Sequence, residues 1–246
     1  MKEHFRPVKN AAPSSHLGKL IFYGRMLLDF QILTIFRDLK KSVPAFRGKV
    51  LDVGCGQSPY RSLLDENTTD YYGIDIAEAE KFDYANKDIT RFDGRHIPFE
   101  DNKFDCLLCT EVLEHVFDYQ GLVNEMRRVL RTGGVAIITI PWSARQHYVP
   151  HDFFRYTRFS LENIFAEFGQ VEIRPRGTDV AVIANKLLVL WVRNLLPREK
   201  WNILVLPLWL LFSPIPMAAV LVAHLCILFD LGGHDDPLGF TITVTK

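Results

Sequence analysis

The sequence KVLDVGCGQSPY, which runs from Lys49 to Tyr60, decides the fold of the chain. It begins as an apolar, strand-forming run and then places Gly54 and Gly56 on either side of a cysteine, shortly before a proline. An apolar run that ends in glycine and proline predicts a buried strand followed by a tight turn. Because glycine lets a ligand approach the main chain closely, this turn is a candidate binding loop.

Strands and helices alternate along the rest of the chain. Apolar runs predict strands at YYGIDI, FDYANKDI (short), FDCLLCTE, VAIITIP and QVEIRPR, and the alternating GFTITVTK predicts a last strand. Helices are predicted within QSPYRSLLDE, from Tyr119 to Leu130, and from an N-cap at Ser160 to Phe168. This order is typical of a mainly parallel α/β sheet with helices on both faces.

The N-terminal region predicts one long helix. Apolar residues recur at helical spacing from Leu17 to Lys41, with charged residues between them. This helix would pack on the domain; the alternative is a lid over an active site or a helix at a membrane surface. Arg25 and Asp29 interrupt its apolar stretch, and no small-residue cleavage site follows, so we expect no secretory signal.

An acidic residue follows the candidate binding loop at the spacing expected of a ribose-binding carboxylate. In a doubly wound sheet, ligands bind beyond the carboxyl ends of the strands. The end of the first strand, from Asp52 to Gly56, would lie at that edge. The second strand ends at Asp75, 19 positions after Gly56. A carboxylate at this distance is placed to accept both hydroxyls of a ribose. The two features together predict a nucleoside-containing ligand.

The loop differs from that of dinucleotide-binding proteins. Such proteins carry a third glycine that allows tight packing below a pyrophosphate, whereas Gly56 is followed here by Gln57, Ser58 and Pro59. The Asp52 carboxylate would repel a pyrophosphate but favour an ammonium group. An adenosine ligand that carries a cationic amino acid therefore fits better than NAD. The chain also lacks the Gly-x-x-x-x-Gly-Lys-Ser/Thr loop that holds a triphosphate.

The composition argues against several classes of partner. The 29 basic residues balance the 29 acidic ones, so no overall field favours nucleic acid. Cys106 and Cys109 have the spacing of half a zinc or redox site, but side chains three positions apart in a strand point to opposite faces. No second Cys/His pair accompanies them. We expect buried thiols in a reducing cytosol, and no metal.

Four stretches carry a family resemblance together. VLDVGCG, YYGIDI, IPFEDNKFDCLLCTEVLEHV and EMRRVLRTGGVAIITIP occur in this order up to Pro141. They resemble the successive signatures of class I S-adenosylmethionine-dependent methyltransferases, in the type 11-like branch that contains quinone and small-molecule enzymes. The resemblance implies a Rossmann-like seven-stranded sheet whose final strand is antiparallel, with S-adenosyl-L-methionine as cofactor. PHDFFRYTRFSL, which begins at Pro150, resembles a bacterial subgroup often associated with glycan or lipid modification.

The resemblance implies a role for each residue of the glycine loop. Asp52 and the turn formed by Gly54, Cys55 and Gly56 would contact the methionine part of the cofactor. Asp75 would bind the ribose hydroxyls.

The resemblance also places residues around the adenine and the sulfonium. Ile76 would pack on the adenine, with Asp88 and Ile89 at its edge, although Asp93 competes with Asp88 for that role. The pair Thr110-Glu111, at the end of the fourth strand, would face the sulfonium.

Candidates for the chemistry follow the fourth and fifth strands. Methyl transfer is an in-line displacement, so positioning matters most, and an alcohol or phenol acceptor also benefits from a general base. Arg155 and Tyr156 would hold an anionic or sugar-like acceptor. His115 is equally consistent with a structural histidine. For His147 and His151 the alternative is a solvated loop, which we disfavour because two histidines, an acid, an arginine and several aromatic residues crowd this loop. The candidate catalytic residues are His115, His147, His151 and Asp152.

An apolar segment separates the last two strands, which should pair as an antiparallel hairpin. About sixty residues intervene, and Ile203 to Phe229 contains no Asp, Glu, Lys or Arg. Both ends return to one sheet, so the segment crosses a membrane twice or not at all. The sequence Ser213-Pro214-Ile215-Pro216 divides it into halves too short to span. We expect an in-plane or re-entrant helical hairpin, preceded by an amphipathic helix with Lys186 and Arg193. The alternatives are a dimer interface or extra core and, less favoured, a single transmembrane span.

These inferences divide the chain into three parts. We predict an N-terminal helical extension at residues 1–48, a cofactor-binding domain at 49–176 and 239–246, and a hydrophobic helical insertion at 177–238. The predicted function is O-methylation of a lipid, lipid-linked glycan or isoprenoid-type acceptor at the cytoplasmic face of a membrane. The alternatives are a soluble small-molecule methyltransferase, a non-catalytic cofactor-binding module and an NAD-dependent reductase. The sequence does not predict the oligomeric state.

Overall fold

The computed structural model describes residues 10–13, 15–76, 89–195 and 200–246. Within these residues, seven strands form one sheet in the order β3-β2-β1-β4-β5-β7-β6. The strands are β1 (Gly48–Val53), β2 (Thr69–Ile76), β3 (Thr90–Phe92), β4 (Phe104–Thr110), β5 (Leu130–Pro141), β6 (Gln170–Arg176) and β7 (Gly239–Thr245).

Strand direction follows the expected pattern. Strands β1 to β5 pair in parallel, whereas β7 lies antiparallel between β5 and β6. Ile242 of β7, for example, pairs with Ile138 on one side and Ile173 on the other. The predicted seven-stranded sheet with an antiparallel last strand, and the hairpin that joins the last two strands, are confirmed.

Helices cover both faces of the sheet. Helix α2 packs on one face of the sheet, and helices α3 and α4 pack on the other. Successive residues of each strand point to opposite faces, so every strand contributes side chains to both layers. Cys106 faces the α2 side and Cys109 the α3 side, as the sequence predicts for buried free thiols. The helices are α1 (His16–Arg25), α2 (Phe30–Ser42), α3 (Tyr119–Val129), α4 (Arg158–Ile164), α5 (Asp179–Leu195), α6 (Leu206–Phe212) and α7 (Pro214–Phe229).

The N-terminal region is two helices, not the single helix predicted. Asp29 accepts a hydrogen bond from the Ile32 amide and so caps α2, and the same carboxylate pairs with Arg25 of α1 at 2.8 Å. An N-cap residue has non-helical backbone angles, so it ends any continuous helix at that point. The sequence was misleading here because the apolar spacing continues across the break.

Two other predicted elements differ in detail. The stretch after the glycine loop forms only a 3₁₀ turn at Arg61–Leu63 rather than a longer helix. The fourth α-helix begins one turn early, because Thr157, not Ser160, accepts the capping hydrogen bond. The short third strand was predicted at FDYANKDI, most of which lies outside the described residues; the observed β3 follows directly at Thr90.

The apolar segment between β6 and β7 forms helices that pack on the N-terminal region. Helices α5 and α7 enclose the buried ring of Phe30. Gln31 donates a hydrogen bond to the Leu238 carbonyl at 2.9 Å, and Arg37 donates to the Ile227 carbonyl at 2.7 Å. These contacts tie the two ends of the chain together beside the sheet. The domain boundaries given above stay a prediction.

The break predicted within the apolar run is present. Helix α6 ends before Ser213, and α7 begins at Pro214. Among the described residues, no helix alone is long and apolar enough to cross a membrane; Ile203–Phe212 and Pro214–Phe229 reach that length and composition only as a pair, bent by 44°.

Candidate functional site

The glycine loop has the left-handed backbone that only glycine adopts freely. Gly54 has a φ of +67° and Gly56 a φ of +52°. The Gly54 and Cys55 amides both donate to the Ile74 carbonyl, at 2.9 and 3.1 Å, which fixes the loop against β2. A Cβ on Gly54 would lie 2.5 Å from Val112, so a side chain has no room there.

Asp52 is buried beneath this loop at the end of β1. Its Oδ2 accepts a hydrogen bond of 2.8 Å from the Tyr71 hydroxyl, which also lies 2.8 Å from the Ser58 hydroxyl. Burial raises the pKa of Asp52 to about 7, with a further increase from the charge of Asp75. Tyr71 was not predicted from the sequence, because a tyrosine in an apolar strand is typical of a core residue. With a pKa of about 7, the Asp52 carboxyl group can lose its proton when a cationic ligand binds beside it.

Asp75 stands at the end of β2 and helps to hold the loop. One carboxylate oxygen accepts from the Gly56 amide and the other from the Ile76 amide, both at 2.8 Å. Burial raises its pKa above the usual range, and the two amide bonds oppose that effect. Each oxygen keeps a second lone pair, which is what a ribose diol requires.

The adenine-side residues are only partly described. Ile76 lines the same cavity as the glycine loop. Ile89 lies against Gly73, where an added Cβ would meet both it and the Cys55 sulfur within about 3 Å. Asp88 lies outside the described residues. Its competitor Asp93 accepts from the amides of the next turn and also lines the cavity.

Thr110 and Glu111 lie at the end of β4, beside the glycine loop. Glu111 has a φ of +54°, unusual for a residue with a side chain, and its amide donates to the Thr139 carbonyl at 2.9 Å. Its carboxylate pairs with Arg176 at 2.8 Å. Such backbone strain is often found where a side chain must be aimed into a site.

Arg176 was missed by the sequence analysis, which read it as part of an ordinary last-but-one strand. Its side chain is fully buried and joins four elements through its three nitrogens. It donates to Glu111, to the carbonyls of Ile140 and Phe240, and to the Thr34 hydroxyl on α2. Arg176 therefore links the end of β4 to the N-terminal helix.

One cavity joins the predicted residues. It measures about 1750 Å³ and is lined by the glycine loop, Asp75 and Glu111 on one side and by His115, His147 and His151 on the other. A cavity that binds a single small ligand is usually about 300–1,000 Å³. This one has room for two molecules side by side.

His115 and His147 form a compact cluster with a third residue, Glu114, that the sequence analysis did not single out. The two imidazole rings pack edge to face, 4.7 Å apart. The Glu114 Oε1 lies 3.6 Å from the His115 Nε2 and 4.0 Å from the His147 Nε2. Residues 115 and 147 come from the ends of β4 and β5, whose carboxyl ends share one edge of the sheet.

Burial perturbs the protonation of this cluster. It raises the pKa of Glu114 well above the usual range, and the nearby charge of Glu111 adds to the increase. Burial also lowers the pKa of His115 to about 4, helped by the neighbouring His147. His115 is therefore a neutral imidazole at pH 7.

The remaining candidates organise the loop after β5. Asp152 forms a double hydrogen bond with Arg155, at 2.6 and 2.9 Å, and accepts from the His147 amide at 3.0 Å. Tyr156 is buried, and its hydroxyl donates to the Leu113 carbonyl. The structure therefore brings His115, His147 and His151 to the cavity. Arg155 and Tyr156, predicted to hold an acceptor, instead form hydrogen bonds within the loop and the core.

Comparison with known proteins agrees with this geometry. Residues 51–138 match the family model described as "Methyltransferase domain". This region is therefore similar to methyltransferase domains. An uncharacterized protein of Methanocaldococcus jannaschii is 34% identical over 122 residues, 48% of this chain and 53% of that protein. A demethylmenaquinone methyltransferase of Staphylococcus saprophyticus is 31% identical over 99 residues, 36% of this chain and 42% of that protein. The chain thus spans about half, or less, of these relatives.

A solved structure resembles nearly the whole chain. It is a SAM dependent methyltransferase from Archaeoglobus fulgidus, with a TM-score of 0.54 and 16% identity, and the match covers 93% of this chain and 99% of that one. At this identity the likeness shows the fold. It confirms the predicted Rossmann-like fold. The family match, with a probable S-adenosylmethionine-dependent methyltransferase of Mycolicibacterium smegmatis that is 31% identical over 96 residues, 37% of each chain, confirms S-adenosylmethionine as the predicted cofactor.

Proposed function

We propose that the protein transfers a methyl group from S-adenosylmethionine to an oxygen of a membrane-associated acceptor, such as a lipid, a lipid-linked glycan or an isoprenoid-type molecule. The observation that carries the proposal is the single cavity that joins the glycine loop to the histidine cluster. The methyl donor and an acceptor hydroxyl would meet in it.

The donor would lie on the side of the glycine loop. Its ammonium group would face Asp52, its ribose hydroxyls would bond to Asp75, and its adenine would pack on Ile76. The methyl group would then point past Glu111 towards the histidines. The NAD-dependent alternative has no support in this loop, because a buried carboxylate at Asp52 repels a pyrophosphate.

The histidine cluster would accept the proton of the hydroxyl. The acceptor oxygen attacks the methyl carbon, the carbon–sulfur bond breaks, and its electron pair goes to sulfur, which gives S-adenosylhomocysteine. The hydroxyl proton goes to the His147 Nε2, because Nδ1 faces the Arg145 carbonyl at 3.0 Å. Asp152, 3.4 Å from Nδ1, would stabilise the resulting imidazolium.

An exposed apolar surface beside the cavity supports a membrane-associated acceptor. Helices α6 and α7 leave many large apolar side chains in solvent, with Leu211 79% exposed. The turn after α1 continues this surface, because the Leu27 carbonyl lies 2.9 Å from the His224 Nε2 of α7. Soluble monomers rarely expose a patch of this kind without a function.

The cavity lining supports the same acceptor class. Leu28 from the N-terminal helices lines the cavity, as do Lys186, Val189 and Arg193 from α5. An apolar chain could thus enter from a bilayer while the cations meet anionic headgroups. The similarity to a demethylmenaquinone methyltransferase brings an isoprenoid quinone into the range of acceptors.

The experiment that tests methyl transfer uses S-adenosylmethionine labelled in its methyl group. The full chain is incubated with it and with a membrane lipid extract, and the labelled product is isolated and identified. We expect label in an organic-soluble product with a new methyl ether. Donor binding without transfer to any membrane fraction would instead support a non-catalytic module.

A flotation assay tests the membrane part separately. The wild-type chain should float with anionic phospholipid vesicles, and the double variant Leu208→Asp, Leu211→Asp should stay at the bottom of the gradient. Phe159→Asp is the matched control, since Phe159 is 74% exposed on α4, away from this surface. Equal failure to float in all three proteins, with a dimer that only the double variant disrupts, would identify the surface as a dimer interface.

A further inference from the structure

The cluster of Glu114, His115 and His147 has a geometry that proton transfer alone does not require. One donor atom from each residue lies within 4.8 Å of the other two. A tetrahedral zinc site with bonds of about 2.0–2.1 Å has ligand atoms roughly 3.3 Å apart. The observed separations from the Glu114 Oε1 are 3.6 and 4.0 Å, and all three atoms lie within 4.8 Å of one another, so the side chains would have to close by roughly 0.3 to 1.5 Å to reach this geometry.

Both imidazoles are oriented as metal ligands usually are. The Nδ1 of His115 lies 2.8 Å from the His151 carbonyl, and the Nδ1 of His147 lies 3.0 Å from the Arg145 carbonyl. A carbonyl can only accept, so each Nδ1 carries the proton and each Nε2 keeps a free lone pair. Main-chain carbonyls that fix the tautomer in this way are the common support of metal-bound histidines.

Most of the side-chain atoms that converge in this cluster have no hydrogen-bond partner among the described residues. Both Glu114 carboxylate oxygens and the His115 Nε2 are buried, and none has a hydrogen-bond partner within the part of the chain that the structure describes. Glu114 has no exposed surface at all. A buried carboxylate without a partner is costly, and a cation between it and the imidazoles would remove that cost.

We propose that Glu114, His115 and His147 bind a divalent transition metal ion, with Zn²⁺ as the best match. Two imidazoles and one carboxylate are the ligand set of catalytic zinc sites, which keep the fourth position open. His115 and His147 line the cavity whereas Glu114 lies beneath them, so the open position faces the cavity. This differs from our expectation of no metal, which considered only the cysteines.

The proposal rests on the proposed function and deepens it. The open position would take the acceptor hydroxyl and lower its pKa, so that its proton leaves to solvent rather than to His147. The same oxygen would then attack the methyl carbon, with the carbon–sulfur electron pair going to sulfur. The acceptor class narrows to molecules whose hydroxyl, or pair of neighbouring hydroxyls, can bind a metal.

The test is a metal titration of the full-length protein. The chain is freed of metal with a chelator and titrated with ZnCl₂ by calorimetry and with CoCl₂ by visible absorption. We expect one ion per chain, with the d–d bands of four-coordinate Co²⁺. Glu114→Gln and His147→Ala should each weaken binding at least about 100-fold. His96→Ala is the matched control and should bind as the wild type does, because His96 is an exposed histidine that pairs with Glu125 at 2.9 Å, outside the cluster.

The outcomes separate the metal from the methyl transfer. Circular dichroism first shows that each variant folds, and His147→Ala serves if Glu114→Gln does not. Wild-type protein that binds no stoichiometric ion, or variants that bind as tightly as wild type, would overturn the metal site. If the metal-free chain still methylates a lipid extract at the full rate, the metal proposal fails and the proposed function stands. If the metal binds as expected but no acceptor is methylated, the proposed function fails alone.

Discussion

The two sides of the cavity are built in different ways. The donor side consists of residues 52–56, Asp75 and residues 110–111, whereas the acceptor side consists of residues 114–115, the loop at 141–156 and α5. On the donor side, both oxygens of Asp75 and one oxygen of Asp52 already accept hydrogen bonds. On the acceptor side, Glu114 and the His115 Nε2 have none among the described residues.

This difference indicates which half of the site is complete. A satisfied polar network is rigid and preformed, whereas buried polar atoms without partners indicate a ligand still to come. We therefore expect the donor side to bind its ligand alone, and the acceptor side to depend on a metal, an acceptor and a membrane.

The largest effect is expected at Arg176, which connects the donor side to α2. Arg176→Met removes a fully buried cation and leaves Glu111 without its partner. Breaking a buried ion pair from one side costs about 3–5 kcal/mol of unfolding free energy. Urea unfolding measures this loss. Arg174→Met is the control, because Arg174 lies on the same strand and pairs with Glu172 at the surface, so a change of under about 0.5 kcal/mol is expected.

The next largest effect is expected on donor-side ligand binding when Gly54 is replaced. In Gly54→Ala the new methyl group would collide with Val112 and the backbone would keep its left-handed angle. Binding of S-adenosylhomocysteine, measured by calorimetry, should fall at least about 100-fold, since even one left-handed alanine costs about 1–2 kcal/mol before the collision. Gly24→Ala meets nothing within 4 Å and should bind as the wild type does. Unchanged binding in Gly54→Ala would place the donor elsewhere.

A smaller effect is expected at Asp75. Asp75→Asn keeps an acceptor for the Gly56 amide but replaces one carboxylate oxygen with a donor, so one ribose hydroxyl loses its partner. We expect affinity for S-adenosylhomocysteine to fall about 10- to 100-fold, the value of one or two charged hydrogen bonds. The exposed Asp70 lies near the start of the same strand, far from its ligand-binding end, so Asp70→Asn should leave the affinity unchanged. Affinity for adenine alone should not change in either variant.

The smallest effect is expected in the pH dependence of donor affinity, which Asp52 would cause. The pKa of Asp52 is raised to about 7 in the folded chain, so Asp52 favours folding when protonated, and this contribution is lost as pH rises from about 4 to about 7. A donor ammonium group favours the ionised form, so donor affinity should rise about eightfold from pH 6 to pH 7.5. Asp52→Asn should bind more weakly and lose this slope. A slope that persists in the variant would assign the titration to another group.

Sequence was sufficient for the donor side because its geometry is local. Two glycines fix the loop, and Asp75 follows within one strand-turn-strand unit, so spacing alone relates them. The acceptor side depends on contacts between distant parts of the chain. Arg176 meets Glu111 across 65 positions, and His147 reaches Glu114 from the loop after β5, so neither pairing leaves a periodic signal in the sequence.

The helices show the same difference between features that sequence predicts and features that it does not. Apolar spacing predicted the helical content of the N-terminal region but not the break at Asp29, which depends on one capping hydrogen bond. Proline predicted the break between α6 and α7 because it acts on its own backbone. A local covalent constraint can be read from sequence, whereas a choice between competing hydrogen bonds cannot.

One measurement tests the central difference between the two sides most directly. S-adenosylmethionine is titrated by calorimetry into wild-type protein and His147→Ala, without lipid or added metal, and NAD⁺ is titrated in parallel. We expect one equivalent of S-adenosylmethionine per chain, equal affinity in both proteins and no heat from NAD⁺. Binding that appears only with vesicles or metal, or that disappears in His147→Ala, would contradict a preformed donor side.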